Sequence, residues 1–353
     1  MPNTHALLRR LLPFSCLLAF FPMIARADIT SDSNEAEDDT IKKNQLTEKV
    51  KLEGYVRSMF EAENFKDGET FHEARLEVKT KRRRGIRADV ELDFRTKNDD
   101  IQVNEALLDK KWDSGMRMKI GYDLKRFGLE YEESRLERPT IERSYIYRRL
   151  ELFNYTGRET VLVVEKEGSN AEFHDWSVTA SFSEAQNFSL VGNWQHDFDN
   201  GVRYGLWVQG GTHKIQDDVI AVGSIANSIW KRDSQKIFQA ELIYGMDPNQ
   251  TEYESVFDDD ERVYFAGLHT LYGHYIFNDG EESLMGQGGL TVVAHDQRET
   301  QYNSLGGFLG VRYDLDTLRI ALNAELIGTN SPIDLKKRTY DESTLRLEAL
   351  FAF

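Results

Sequence analysis

"IRADVELDFR", Ile86 to Arg95, sets Ile86, Ala88, Val90, Leu92 and Phe94 at alternate positions, with Arg87, Asp89, Glu91, Asp93 and Arg95 between them. Side chains in a β-strand point to opposite faces with a period of two, so the stretch reads as a strand with one apolar and one fully charged face. Upstream, "FHEARLEVKTK" (71–81) sets Ala74, Leu76 and Val78 against Glu73, Arg75, Glu77 and Lys79, before a turn at Arg84-Gly85. "VKLEGYVRSMF" (50–60) does the same, with Lys51, Glu53, Tyr55 and Arg57 on its polar side. Downstream, "MRMKIGYDLKRFG" (116–128) follows the turn Asp113-Ser114-Gly115.

The period of two continues through 101–112, 145–153, 158–167, 172–183, 187–198, 201–212, 235–246, 261–275, 284–296, 305–315, 317–327 and 344–353, which makes sixteen candidate strands. The stretch at 145–153 is the weakest. Residues 213–234, "HKIQDDVIAVGSIANSIWKRDS", resist assignment. They are either a long connection or hold a strand that takes the place of 145–153, and both choices keep the count even.

Alternation alone fits either a soluble sandwich with one wet face or a membrane barrel with a wet interior. Aromatic residues favour the barrel. There are 20 Phe, 15 Tyr and 5 Trp, and Trp112, Tyr122, Phe127, Trp194, Tyr204, Tyr272 and Tyr313 lie near strand ends, as aromatic girdles require. Short turns (113–115, 184–186, 278–283, 314–316) also alternate with longer polar connections (128–144, 247–260, 297–304, 328–343). The final ten residues, "TLRLEALFAF", carry Leu345, Leu347, Ala349, Phe351 and Phe353 on one face and Arg346 and Glu348 on the other. In a closed sheet this is the strand that pairs with the first one, and Phe351 with the terminal Phe353 reads as an assembly signal.

Residues 1–27 combine Arg9-Arg10, an apolar stretch from Leu11 to Ile24 and Ala25-Arg26-Ala27, the pattern of a secretory signal cleaved near Ala27. The only cysteine, Cys16, lies in it, so the exported chain is expected to hold no disulfide. Removing the three arginines of the signal leaves 41 basic against 60 acidic residues, a net of −19, which argues against a nucleic-acid partner. After Asp28 no apolar run reaches the roughly 18 residues of a spanning helix, and residues 28–49 read as an acidic lead segment before the barrel at 50–353. The seven histidines beyond the signal form no metal-ligand pair; His269 and His274, five apart, fall on opposite strand faces. No serine or aspartate context marks a hydrolase, and Gly286, Gly288, Gly289, Gly306, Gly307 and Gly310 lie in strand patterns with no helix after them, so they read as points of close packing and not as phosphate loops.

The densest irregular segment is 126–149, "RFGLEYEESRLERPTIERSYIYRR". It is either a solvated external loop or one folded into the lumen, where charges of both signs narrow the pore. Together with the strands before it, "NEALLDKKWDSGMRMKIGYDLKRFGLEYEESRLERPTIERS" (Asn104–Ser144) resembles the phosphate-selective porins O and P of Gram-negative outer membranes. The resemblance implies a 16-stranded barrel, a homotrimer, and passage of small anions such as phosphate past cations at a constriction, where Lys125, Arg126, Arg135, Arg138 and Arg143 fall in the matching segment. Glutamates interleaved with those arginines set this chain apart from that pattern.

The reading is therefore an all-β transmembrane antiparallel barrel of about 16 strands, with a constriction loop after the fifth strand. Its expected role is passive diffusion of small polar or charged solutes through the outer membrane, without turnover chemistry, cofactor or metal. Beyond the bilayer, its expected partners are the barrel-assembly machinery and the diffusing solutes. Arg57, Arg75, Lys79, Arg87, Arg95, Arg117 and Lys119 are the further pore-lining candidates, because each lies opposite an apolar strand face. The alternatives are a barrel enzyme hydrolysing lipid or peptide, and a soluble periplasmic β protein.

Overall fold

The structure, a computed structural model, describes residues 50–66, 68–96, 100–167, 174–183, 188–198, 200–215, 218–247, 263–296, 303–330 and 338–353. The expected signal and the acidic lead segment, 1–49, lie outside these residues. The chain forms β1 (Val50–Glu63), β2 (Gly68–Thr80), β3 (Ile86–Arg95), β4 (Asp100–Lys111) and β5 (Met116–Lys125), then two short helices, α1 (Leu129–Glu132) and α2 (Tyr145–Leu152). There follow β6 (Gly157–Glu167), β7 (His174–Phe182), β8 (Phe188–Asp197), β9 (Val202–Ile215), β10 (Asp218–Arg232) and β11 (Lys236–Met246). The last strands are β12 (Tyr264–Asn278), β13 (Glu282–Ala294), β14 (Ser304–Leu315), β15 (Leu318–Asn330), a two-residue β16 (Arg338–Thr339) and β17 (Thr344–Ala352).

Each strand pairs antiparallel with its sequence neighbour, β15 with β17, and β17 with β1, so sixteen full strands close into a barrel with no free edge; β16 adds a short ladder to the end of β15. At the seam Val56 faces Phe351 and Phe60 faces Leu347. Gly54 and Phe353 exchange backbone hydrogen bonds of 3.0 and 3.1 Å. A Cβ on Gly54 would come within 2.8 Å of the Phe353 ring, so this glycine leaves the space the terminal ring needs.

Burial is inverted relative to a soluble protein. Leu108, Leu162, Val208, Leu242, Leu290, Leu309 and Leu347 are exposed on the outer wall, while Asp93, Asp109, Glu165, Gln239, Glu241 and Glu348 are buried inside. Alternation puts both sets on the same strands. Aromatics ring both ends of the outer wall. Trp112, Trp194 and Tyr204 lie at the end with the short turns, and Phe182 packs on Phe188 and Tyr244 on Tyr264 at the other. Phe127 departs from its expected place: it is fully buried inside, because it starts the in-folded loop and packs on Tyr155. The short turn expected at 184–186 lies outside the described residues.

Residues 145–153 are not a strand. Ile146, Leu150 and Phe153 follow the i, i+4, i+7 spacing of a helix face and are buried. A segment inside the lumen has no strand edge to join, and a helix satisfies its own backbone groups. The sixteenth strand is β10, within the stretch that resisted assignment.

Candidate functional site

Between β5 and β6, residues 126–156 fold into the barrel. Gly128 has φ of 85° and a Cβ there would collide with the Tyr147 hydroxyl, so glycine is required at this turn. The loop presents an apolar face, Phe127, Leu129, Ile146, Tyr147, Leu150, Phe153 and Tyr155, to a patch on the inner wall made by Val191, Trp207, Ala226, Trp230, Ile243, Phe265, Val293 and Ile327 of β8–β13 and β15. Ile146 seats against Gly267 of β12, where any side chain would overlap it.

Buried polar groups fix the loop in that position. The Glu241 carboxylate on β11 accepts from the Leu129 amide at 2.9 Å, the Ser228 hydroxyl at 2.6 Å and the Tyr147 hydroxyl. Glu130 accepts from the Ser144 amide at 2.8 Å and lies 3.3 Å from His269, which also contacts Thr291. Arg312 donates to the Arg138 carbonyl at 2.8 Å, Arg319 to the Arg135 carbonyl at 3.0 Å, and Gln287 to the Pro139 carbonyl at 2.8 Å. On the near side, buried Arg57 reaches Glu348 at 2.6 Å, Glu142 at 2.7 Å and Glu73 at 3.1 Å, joining β17, the loop and β2.

With the loop packed on β8–β15, the open polar space lies along β2–β6. A cavity of about 540 Å³ there is lined by Arg75, Arg95, Arg126, Arg135, Arg138, Arg143 and Arg158, and by Glu91, Glu105, Asp123, Glu132, Glu133, Glu137 and Glu151. The expected pore-lining cations all turn inward, but most are held by carboxylates. Arg75 pairs with Asp93 at 2.6 Å, Lys79 with Glu53 at 2.7 Å, Arg87 with Asp89 at 2.7 Å and Arg95 with Asp93 at 2.9 Å. Arg117 pairs with Asp109 at 2.5 Å, Lys119 with Glu165 at 3.0 Å, Lys125 with Glu159 at 3.0 Å and Arg135 with Glu73 at 2.5 Å. Of these, Arg57, Lys79, Arg87, Arg117, Lys119 and Lys125 do not line the large cavity.

Arg126, Arg138 and Arg143 differ. Among the described residues none of the three lies within ion-pair distance of a carboxylate, and Arg143 instead stacks 3.8 Å above the Tyr131 ring. The Arg138 side chain is 2% exposed and its Nε and Nη1 have no partner; burial, with Arg143 and Arg135 beside it, brings its pKa down to about 10. Glu133 faces the same cavity. Its Oε1 accepts from Gln239 at 2.7 Å, its Oε2 is buried without a partner, and burial pushes its pKa up to about 7.

Sequence reasoning found the loop and its arginines but missed Glu133, Glu241 and the apolar patch on the inner wall. The signal for the patch was local loss of alternation, as in Leu206-Trp207-Val208 and Leu242-Ile243-Tyr244, where both faces are apolar. It also missed one serine-histidine pair: His295 Nε2 lies 2.6 Å from the Ser304 hydroxyl. Both residues are buried, the Arg149 guanidinium lies 3.4 Å from Nδ1, and burial with that cation pushes the imidazole down to about 3. The group described at Nδ1 is a cation, which disfavours the protonated imidazole that a catalytic base must form. Phe351 and Phe353 lie on the outer wall at the seam. No three metal-ligating side chains come together among the described residues.

No protein-family model matches the sequence, and a comparison with curated proteins gives no match. Solved structures do match. The outer-membrane channel DcaP of Acinetobacter baumannii aligns with a TM-score of 0.60 at 11% identity, covering 86% of this chain and 97% of that one. A loop-deletion mutant of OmpT, an outer membrane protein of Vibrio cholerae, gives 0.60 at 10% identity, covering 86% and 99%. An anion-selective porin from Comamonas acidovorans gives 0.55 at 10% identity, also covering 86% and 99%. At such identity the likeness is one of fold, and it places this chain among closed barrels of outer-membrane type.

Proposed function

We propose that this chain is an outer-membrane porin through which small polar and charged solutes, anions among them, diffuse passively. The observation that carries the reading is the loop 126–156, packed on one side of a polar lumen so that solutes are confined to a charged channel along the other. The exposed apolar outer wall and its aromatic ends suit a bilayer, where every backbone group needs an internal partner. The phosphate expectation is the narrower part. Three arginines without carboxylate partners support anion passage, while the carboxylates lining the same cavity limit selectivity. A homotrimer is part of the proposal, and a trimer form is described for OmpT of V. cholerae, which shares the fold. The signal near Ala27 and recognition of the terminal Phe by assembly machinery complete the reading.

Purified protein in planar bilayers should give stepwise conductance in KCl, and a folded protein that never conducts would exclude the porin. Reversal potentials in a KCl gradient, repeated with potassium phosphate, test anion passage; ideal cation selectivity would remove that part. Hydrolysis of lipid or peptide abolished by Ser304→Ala would instead favour the enzyme.

A further inference from the structure

Within the lumen, opposite charges meet wherever the fold allows. Arg57 closes on Glu348 at 2.6 Å, Arg117 on Asp109 at 2.5 Å and Lys119 on Glu165 at 3.0 Å. In the large cavity two groups more than nine-tenths buried keep polar atoms unmet: the Arg138 guanidinium, with no carboxylate in ion-pair distance and two nitrogens unpartnered, and the Glu133 carboxylate, whose Oε1 pairs with Arg232 while its Oε2 is unpartnered. They stand one chain turn apart, since the Arg138 amide bonds to the Ser134 carbonyl at 3.0 Å. Glu133 is anchored by its other oxygen to Gln239 at 2.7 Å and Arg232 at 3.4 Å on the wall, so it is not free to swing to Arg138. Leaving buried polar atoms of charged groups unmet is costly: Arg138 calls for an anion, and the bare Glu133 oxygen calls for a donor, best an ammonium.

We propose that the cavity is a binding station for a small amphoteric solute, whose carboxylate or phosphate meets Arg138 and whose ammonium meets Glu133. Arg143 and Arg135 add positive potential around the first group, and Glu137 adds negative potential near the second. A solute of one sign meets only the Arg138 nitrogens or only the free Glu133 oxygen and leaves the other unmet. The inference rests on the porin reading, because the solute reaches the cavity only through an open lumen.

The test uses the full barrel in planar bilayers and titrates the KCl current with three probes of one size: γ-aminobutyrate, butyrate and butylammonium. If each added charge contact is worth about 1 kcal/mol, γ-aminobutyrate blocks at a concentration about five-fold lower than either single-signed probe. Arg138→Gln removes its advantage over butylammonium, and Glu133→Gln its advantage over butyrate, in barrels whose folding is checked by heat-modifiable mobility. The wild-type comparison stands without either variant. Equal block by γ-aminobutyrate and butyrate, or by γ-aminobutyrate and an equimolar butyrate–butylammonium mixture, overturns the amphoteric station while KCl conductance keeps the porin. Absence of KCl conductance overturns both.

Discussion

A carboxylate carried into a lumen on a loop meets less water than one on an open surface, and Glu133 bears the consequence. Burial raises its pKa to about 7; Glu130 and Glu137 push the same way, while Arg232 and Arg138 oppose. In the unfolded chain the group titrates near 4.3. The folded protein therefore holds an extra proton between these values, and the stability this group contributes is complete at low pH and lost as pH rises through about 7. Above that pH the cavity gains a negative charge. Reversal potentials in KCl are expected to move toward cations between pH 6 and pH 8, and Glu133→Gln is expected to flatten that shift. Gly267 is the second sensitive residue. Valine there displaces Ile146 and costs the loop about 1–3 kcal/mol of seating. The expected readout is noisier open-channel current with an unchanged melting temperature for the barrel.

Among elements, the loop carrying α1 and α2 meets one wall carboxylate, Glu241, through two bonds beside its apolar face. Glu241→Leu leaves the Leu129 amide, the Tyr147 hydroxyl and the Ser228 hydroxyl without their acceptor. The loop should then leave the wall, and unit conductance should rise above that of the native barrel; an unchanged conductance would mean that the apolar face alone suffices. The same contacts explain what the sequence hid. In β10, Ile225 and Ile229 face outward as expected, but Ala226 and Trp230 face inward and are apolar too, because they meet the loop. Packing against the loop erased the alternation by which a strand is recognised. In α2 the opposite happened, since apolar residues at helical spacing passed for a weak strand. Strands whose inner face is wet, such as β3 with Arg87, Asp89, Glu91 and Asp93, were legible from alternation alone. Which arginines keep a carboxylate and which do not depends on cross-strand register, which no single strand encodes: Asp109 is shared by Arg82, Arg87 and Arg117 from three different segments.

For the molecule as a whole, the lumen is divided lengthwise into a packed half against β8–β15 and an open, charged half against β2–β6. Closure of the sheet depends on β17 meeting β1, with Phe353 over Gly54. Deleting Phe353 is expected to reduce the heat-modifiable barrel recovered from outer membranes several-fold, while the fraction that does fold conducts normally; normal recovery would remove the assembly role. Arg57 carries a further implication. It takes one carboxylate from the first hairpin, one from the last strand and one from the loop, so its three partners are present together only in a finished barrel. A sheet still open at the seam lacks Glu348, one of the two carboxylates that fix Arg57 against the wall while it tethers the loop through Glu142. Completion of the wall and establishment of the permeability barrier are thus expected to occur in one step, and a half-zipped intermediate trapped in liposomes should leak solutes larger than any the mature channel admits.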